Sequence, residues 1–216
     1  MEKKNLFYRT IGSLIKSLAL GTVKSASGME NAPKKGPYVV ASNHESYIDP
    51  AVIKSYFDNR MNTIVHFLTK KEFFSSPVKK YFFENFHTIP VDRDKAGFIA
   101  LEAAIQKLKE NGVIGVFPEG KRSRDNLLHK GKTGAVRMAI AARCPILPFG
   151  IENSFELWPP KNKLPRYRRQ IILNFGKPYT LEKYYNKALS HDILEKLTKD
   201  LMKRIQKLSK QEMAGE

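Results

Sequence analysis

The chain has 216 residues, of which 42% are hydrophobic, so it is long and apolar enough for one domain with a buried core and is not an intrinsically disordered protein. Its 38 basic and 21 acidic residues leave a net charge of +17, which predicts a polyanionic partner: a nucleic acid, an anionic membrane surface or a phosphorylated substrate. A single cysteine, Cys144, excludes an internal disulfide and is expected to pack in the core rather than to act as a nucleophile.

Residues 1–27 predict an amphipathic helix with a basic flank. Apolar residues recur at the spacing of one helical face, at Phe7, Ile11, Leu14, Ile15 and Leu18. Lysines interrupt the apolar stretch, which is too short to span a bilayer and does not resemble a secretory signal. The pattern leaves two possibilities open, a helix that lies in a membrane interface and a helix that packs on the domain.

Beyond this segment, short apolar runs alternate with helical patterns. Strands are predicted near residues 38–42, 63–68, 88–91, 113–117, 145–151 and 170–175. Helices are predicted near residues 51–57, 97–111, 133–142 and 190–210. The alternation predicts an α/β fold with a mostly parallel central sheet flanked by helices. We expect residues 1–30 to form a membrane-association segment and residues 31–216 to form a single α/β domain.

The most informative stretch follows the first of these strands and reads Asn-His-Glu-Ser-Tyr-Ile-Asp-Pro over residues 43–50. Asp49 and Pro50 are typical of a helix start, so His44 and Asp49 are predicted on one tight strand-to-helix turn. A histidine held by a carboxylate can remove a proton from a hydroxyl at neutral pH. His87 and Asp92 share the same spacing, but they flank a predicted strand, which would hold them apart.

A second informative stretch covers residues 119–124, at the end of a predicted strand. Gly120 permits a sharp turn, after which Lys121, Arg122 and Arg124 concentrate positive charge. Ligands of open α/β sheets bind at the carboxyl ends of the strands, and arginine can hold two phosphate oxygens at once. A solvated basic loop is the alternative interpretation. Glu119, among these cations, fits a charge-balancing or orienting role better than a catalytic one.

Together these stretches resemble the glycerophosphate acyltransferase family, and within it the bacterial 1-acylglycerol-3-phosphate acyltransferases. Family-like blocks occur in the family's order over about residues 38–151. They are Asn43-His44-x4-Asp49, Thr69-Lys70-Lys71-Glu72, Ile89-Pro90-Val91-Asp92-Arg93, Phe117-Pro118-Glu119-Gly120-Lys121-Arg122-Ser123 and Cys144-Pro145-Ile146-Leu147-Pro148. Lys121 departs from the family pattern, which has threonine there, and it adds a cation beside the expected phosphate site.

The resemblance implies transfer of a fatty acyl group from an acyl thioester to the 2-hydroxyl of lysophosphatidic acid, which gives phosphatidic acid. His44 would be the general base and Asp49 would orient it. The implied phosphate site comprises Lys70, Arg93, Glu119, Gly120, Lys121 and Arg122. Asn43 and Ser123 would support these groups. No metal and no cofactor are implied, because acyl-coenzyme A or acyl carrier protein enters as a co-substrate.

The resemblance also implies peripheral attachment to the cytoplasmic face of the cell membrane, through the N-terminal helix and the basic surface. It leaves the acyl carrier, the acyl-chain length and the oligomeric state open. Glycerol-3-phosphate and another lyso-lipid remain alternative acceptors. A nucleic-acid-binding protein is the remote alternative, since the charge alone suggests it and no nucleic-acid-binding motif supports it.

Overall fold

A computed structural model describes residues 2–76, 83, 86–91, 96–159, 162 and 164–215 of the chain. Each strand and helix predicted beyond residue 31 is present, with bounds shifted by at most a few residues. The strands are β1 (Val23–Ser27), β2 (Tyr38–Ser42), β3 (Val65–Lys70), β4 (Ile89–Val91), β5 (Val113–Val116), β6 (Ile146–Glu152) and β7 (Ile171–Phe175). The helices are α1 (Glu2–Gly21), α2 (Asp49–Met61), α3 (Ala96–Lys109), α4 (Gly134–Ala141) and α5 (His191–Ser209).

Within the described residues, seven strands form one sheet in the order β1-β7-β6-β2-β5-β3-β4. All neighbouring pairs are parallel except β6 and β7, which are antiparallel. The predicted α/β fold with a mostly parallel sheet is therefore confirmed. In the central strand β2 all five residues are buried, as expected of a strand covered by helices on both faces.

The core lies on both sides of the sheet, because successive side chains of a strand point to opposite faces. Tyr38 and Val40 of β2 pack in the cluster that also includes residues of α1 and α2. Val39 and Ala41 pack in the opposite cluster with residues of α3, α4 and α5. Helices α1 and α2 thus cover one face, and α3, α4 and α5 cover the other.

The predicted helix over residues 1–27 is wrong in its last part. Helix α1 ends at Gly21, and Val23–Ser27 forms the edge strand β1, parallel to β7. The carbonyl oxygen of Thr22 accepts hydrogen bonds from the backbone N–H groups of Gln170 and Ile171. This strand belongs to the sheet of the domain that we expected to begin at residue 31. The helical pattern of the preceding residues hid it, since its partner lies about 150 residues later.

The sheet brings the two informative stretches together. Strands β2 and β5 are parallel neighbours, with Ala41 paired to Val116, so both stretches begin at the same edge of the sheet. No described helix is long and apolar enough to cross a membrane.

Candidate active site

The turn between β2 and α2 holds His44 and Asp49 in direct contact. Asp49 is fully buried at the start of α2, and its Oδ2 lies 2.8 Å from Nδ1 of His44. The same oxygen accepts hydrogen bonds from the backbone N–H groups of Glu45 and Ser46, each at 2.8 Å. Because a carboxylate can only accept, the proton of the neutral ring lies on Nδ1, and Nε2 keeps the lone pair that a general base requires.

An aromatic stack fixes the plane of the imidazole. The ring of Phe117 lies 3.9 Å from that of His44, centroid to centroid, with an angle of 16° between the planes. Phe67 in turn stacks on Phe117 at 5.4 Å. Asp49 therefore holds the ring at one edge and Phe117 supports one face, which restricts rotation of the base.

Asn43 ties this turn to the neighbouring strand. Its Oδ1 accepts from the N–H of Ile151 at 2.9 Å, and its Nδ2 donates to the carbonyl oxygen of Ile151 at 2.8 Å and to Oε1 of Glu45 at 3.1 Å. This fully buried amide continues the pairing of β2 with β6 just past the end of β2. These hydrogen bonds hold the turn against β6.

Glu45 is a buried carboxyl group that sequence reasoning missed. Its Oε2 accepts from the backbone N–H of Phe155 at 3.1 Å and from the hydroxyl of Ser154 at 3.3 Å. Burial, and after it the charge of Asp49, raise the pKa of Glu45 to about 8. The only sequence signal for a role of Glu45 near the His44–Asp49 pair was its position between these two residues.

Glu119 joins the two motif loops. Its Oε1 accepts from the backbone N–H of His44 at 3.0 Å, and its Oε2 accepts from that of His129 at 3.1 Å. Burial raises the pKa of this carboxyl to about 7, although the two backbone N–H groups oppose the shift. With an N–H group on each oxygen, the carboxyl favours the orienting role over direct contact with a phosphate.

The neighbouring residues explain the tight turn of this loop. Gly120 has a φ of 74°, in the region that favours glycine, and a Cβ there would lie 3.2 Å from the side chain of Lys132. Ser123 is buried, and its N–H donates to the carbonyl oxygen of His44 at 2.7 Å. Glu119 and Ser123 thus fasten the loop to the backbone of the proposed base.

Arg122 extends from this loop over the ring of Tyr47, with its guanidinium carbon 3.4 Å from the ring centroid. Its Nη1 is buried and has no hydrogen-bond partner among the described residues. Trp158 lies on Tyr47 at 5.3 Å between ring centroids. The guanidinium is therefore oriented by aromatic rings while part of its hydrogen-bonding capacity stays unused.

A second pair of histidine and carboxylate lies in the same region. Oδ1 of Asp125 is 2.9 Å from Nε2 of His129 and accepts from the hydroxyl of Ser123 at 2.9 Å. These contacts, that with His129 first, lower the pKa of Asp125 to about 2. Nothing in the sequence pattern indicated this pair, because His129 lies outside every motif.

Some of these groups, among them His44, Tyr47, Phe117 and Arg122, line one cavity of about 1410 Å³. Its polar wall includes His44, Tyr47, Lys121, Arg122, Arg124 and Lys132. Its apolar wall includes Ile15, Phe67, Leu68, Phe83, Phe86 and Ala100. The lining of one cavity thus combines His44 with cationic and apolar side chains.

Three members of the predicted phosphate site, Glu119, Arg93 and Lys70, are not placed at this cavity by the structure. Glu119 is buried and does not line the cavity. Arg93 lies outside the described residues, as does Asp92 of the second His-x4-Asp pair. Lys70 ends strand β3, but the structure describes only its backbone. In the described part of the chain, no three His, Cys, Asp or Glu side chains are grouped so that they could hold a metal ion.

Residues 25–152 match the family model described as Acyltransferase. The chain belongs to the acyltransferase family. This confirms the resemblance drawn from the motifs, and membership makes the protein an O-acyltransferase. The matched range contains both motif loops, β2 to β6 and the last three residues of β1.

Individual relatives agree with the family. The chain is 26% identical over 179 residues to the 1-acyl-sn-glycerol-3-phosphate acyltransferase of Bacillus subtilis, a match that covers 83% of this chain and 84% of that protein. It is 30% identical over 156 residues to a probable 1-acyl-sn-glycerol-3-phosphate acyltransferase of Mycoplasma pneumoniae. This match covers 67% of this chain and 58% of that protein.

A solved structure shares the fold. The crystal structure of the 1-acyl-sn-glycerophosphate acyltransferase from Thermotoga maritima superimposes with a TM-score of 0.69, at 23% identity, and the match covers 96% of this chain and 83% of that one. At this level of identity, the likeness concerns the architecture of the sheet and its helices.

Proposed function

We propose that the protein transfers a fatty acyl group from an acyl thioester to the 2-hydroxyl of lysophosphatidic acid, giving phosphatidic acid. The observation that carries this proposal is the His44–Asp49 pair, joined at 2.8 Å beside a cavity with cationic and apolar walls. Such a cavity suits an acceptor with a phosphate at one end and an acyl chain at the other. The relatives in Bacillus subtilis and Mycoplasma pneumoniae are named for the same acceptor.

In the proposed reaction, Nε2 of His44 takes the proton of the acceptor hydroxyl while its oxygen attacks the thioester carbonyl carbon. Asp49 stabilises the imidazolium that forms. The tetrahedral intermediate then collapses, the carbon–sulfur bond breaks, and the thiolate leaves with the proton that His44 returns. The steps need no acyl-enzyme. Burial raises the pKa of the Cys144 thiol to about 12, which makes it unsuitable as a nucleophile.

The acceptor phosphate is assigned to the cationic wall. Arg122 offers a preoriented guanidinium, and Lys121 adds a second positive charge from the same loop. Lys70 and Arg93 complete the proposed set through the resemblance of their sequence blocks. In this assignment Gly120 lets the loop turn closely, and Glu119 holds the loop against the backbone of His44.

The acyl chain is assigned to the apolar wall, where Phe67, Leu68, Phe83 and Phe86 line the cavity. Acyl-coenzyme A and acyl carrier protein both fit a protein of net charge +17, since both are anionic.

We place the protein at the cytoplasmic face of the cell membrane, bound peripherally to an anionic surface through α1 and basic residues. No cofactor, metal or nucleic acid takes part in the proposal.

A test measures acyl transfer by the purified protein from palmitoyl-coenzyme A and from palmitoyl-acyl carrier protein. Lysophosphatidic acid and glycerol-3-phosphate are compared as acceptors, because Lys121 adds a cation that suits the smaller phosphate monoester as well. We expect phosphatidic acid from lysophosphatidic acid, and we expect His44→Ala to lower kcat by at least about 100-fold, because it removes the general base.

His87→Asn is the matched control, since His87 belongs to the other pair with the same spacing and asparagine tolerates its φ of 48°. It should retain wild-type activity. Full activity of His44→Ala would exclude the mechanism. Acylation of glycerol-3-phosphate alone would retain the mechanism and move the protein to an earlier acylation step.

A further inference from the structure

The described side chains of helix α1 that contact α2 and the core lie on one face of the helix. Ala19 is buried, and the ammonium group of Lys16 lies 2.7 Å from a carboxylate oxygen of Asp58 in α2. Leu14 and Leu18, four residues apart on another face, are 57% and 45% exposed. Gly21 continues this face, because positions i, i+4 and i+7 of a helix lie in one row. An apolar row therefore remains open to solvent.

A loop before β7 carries further exposed apolar side chains. Leu164 is 78% exposed and Tyr167 is 58% exposed, and together with Leu14 they are the three most exposed of the large hydrophobic side chains that the structure describes. The loop is held in place at both ends. The N–H of Arg166 donates to the carbonyl oxygen of Leu157 at 2.7 Å, and Nε of Arg169 donates to that of Val23 at 3.1 Å.

The loop and the helix meet at Gly21. A Cβ at this position would collide with the hydroxyl group of Tyr167, so the tyrosine lies against the face of α1 that Leu14 and Leu18 share. The exposed apolar row of the helix thus continues into the loop. We call the surface of Leu14, Leu18, Leu164 and Tyr167 the apolar stripe.

Positive charge borders the apolar stripe on the loop side. Residues 164–169 include three arginines and no acidic residue. Among them, Arg166 and Arg168 are exposed. Exposed leucine and tyrosine beside cations fit an anionic bilayer, in which apolar side chains enter the acyl boundary and arginines contact the headgroups. An acidic protein would pair with the arginines but would leave Leu164 in water.

We propose that residues 164–169 form a second lipid-binding element, which docks together with α1 on an anionic bilayer through the apolar stripe. This proposal rests on the proposed function for its purpose, since the acceptor is a membrane lipid. Ile15, next to Leu14, lines the cavity of His44, so the docked face would bring the cavity close to the lipids. Contact through α1 alone would leave the protein free to rotate about the helix axis on the bilayer. A second contact through the loop would fix the orientation of the cavity relative to the lipids.

The test is sedimentation of the full chain with vesicles of phosphatidylglycerol and phosphatidylcholine. Two double variants of the loop are tested, Leu164→Ser/Tyr167→Ser and Arg166→Ser/Arg168→Ser. We expect each of them to lower the partition coefficient between vesicles and water by about tenfold. Two double variants on the other face of the sheet, at exposed positions of its helices, serve as matched controls. Ile99→Ser/Ile193→Ser removes a similar apolar area, and Lys196→Ser/Lys203→Ser removes the same number of positive charges. They should bind like the wild type.

Acyl transfer in detergent micelles separates this proposal from the proposed function. The loop variants should keep wild-type rates in micelles and lose activity only on vesicles. Wild-type vesicle binding by both loop variants, or an equal loss in the controls, would overturn the lipid-binding role. Normal vesicle binding with a raised KM for acyl carrier protein would assign the loop to an acidic protein instead. Loop-dependent vesicle binding without any acyl transfer would refute the proposed function alone.

Discussion

The guanidinium carbon of Arg122 lies 3.4 Å from the centroid of the Tyr47 ring. Tyr47 comes from the turn that carries the proposed base, and Arg122 comes from the loop assigned to the acceptor phosphate. The stack therefore links the position of the phosphate to that of His44. The guanidinium carbon lies over the face of the ring and Nη1 has no hydrogen-bond partner among the described residues, so the group keeps a donor for phosphate oxygens.

Tyr47→Leu should raise the KM for the acceptor by about fivefold and leave kcat and the KM for the thioester nearly unchanged, since a cation–π contact contributes about 1 kcal/mol. Tyr47→Phe keeps the ring and should behave like the wild type. Steady-state kinetics with varied acceptor measure this effect.

A double-mutant cycle with Arg122→Ala distinguishes positioning from direct contact. If Tyr47 acts through Arg122, Tyr47→Leu will have no further effect on the acceptor KM once the arginine has been removed. An undiminished effect in the Arg122→Ala background would show that Tyr47 touches the acceptor itself.

Glu119→Gln should destabilise the protein, because the new amide places a donor against the backbone N–H of either His44 or His129. A buried donor left without an acceptor costs about 1–3 kcal/mol, so we expect a loss of this size in the free energy of unfolding. The rate should also fall, since the backbone of the base shifts. Urea unfolding and initial rates measure the two effects.

Glu156→Gln provides the matched control for this change. Glu156 is exposed, so its substitution should alter the free energy of unfolding by less than about 0.5 kcal/mol. An equally small effect of Glu119→Gln would mean that the two loops do not depend on the carboxyl group.

Glu45 should make the folded protein less stable as the pH rises. Its pKa is about 8 in the folded state against an ordinary value of 4.5, so between these values the folded protein holds a proton that the unfolded chain has lost. The free energy of unfolding should therefore fall by about 1.4 kcal/mol per pH unit from this group alone between these values, and the loss is complete above pH 8.

Glu45→Gln should make the free energy of unfolding fall less steeply as the pH rises. The variant loses a hydrogen bond at every pH, because its amide nitrogen cannot accept, but it no longer titrates. Denaturant unfolding between pH 5 and pH 8 compares the two slopes. Parallel curves for wild type and variant would contradict the raised pKa of Glu45.

Several features of the fold follow from local sequence. The alternation of apolar runs and helical patterns predicted the parallel sheet, since each element shows its own period of hydrophobic residues. Strand β1 was missed because it is short, lies at the sheet edge and follows directly on a helix. Its pairing with β7 is a contact between distant residues, which no local period reveals.

The His44–Asp49 contact could be predicted from the sequence because both residues belong to one turn. The geometry of a turn is set by the residues within it. Tertiary structure alone decided the contacts that surround this pair: Glu119 with His44, Arg122 with Tyr47, and Glu45 with Phe155. Each of these joins segments that are distant in the chain. The sheet brings such segments together only when its strand order and register have formed, and those depend on the packing of the whole core.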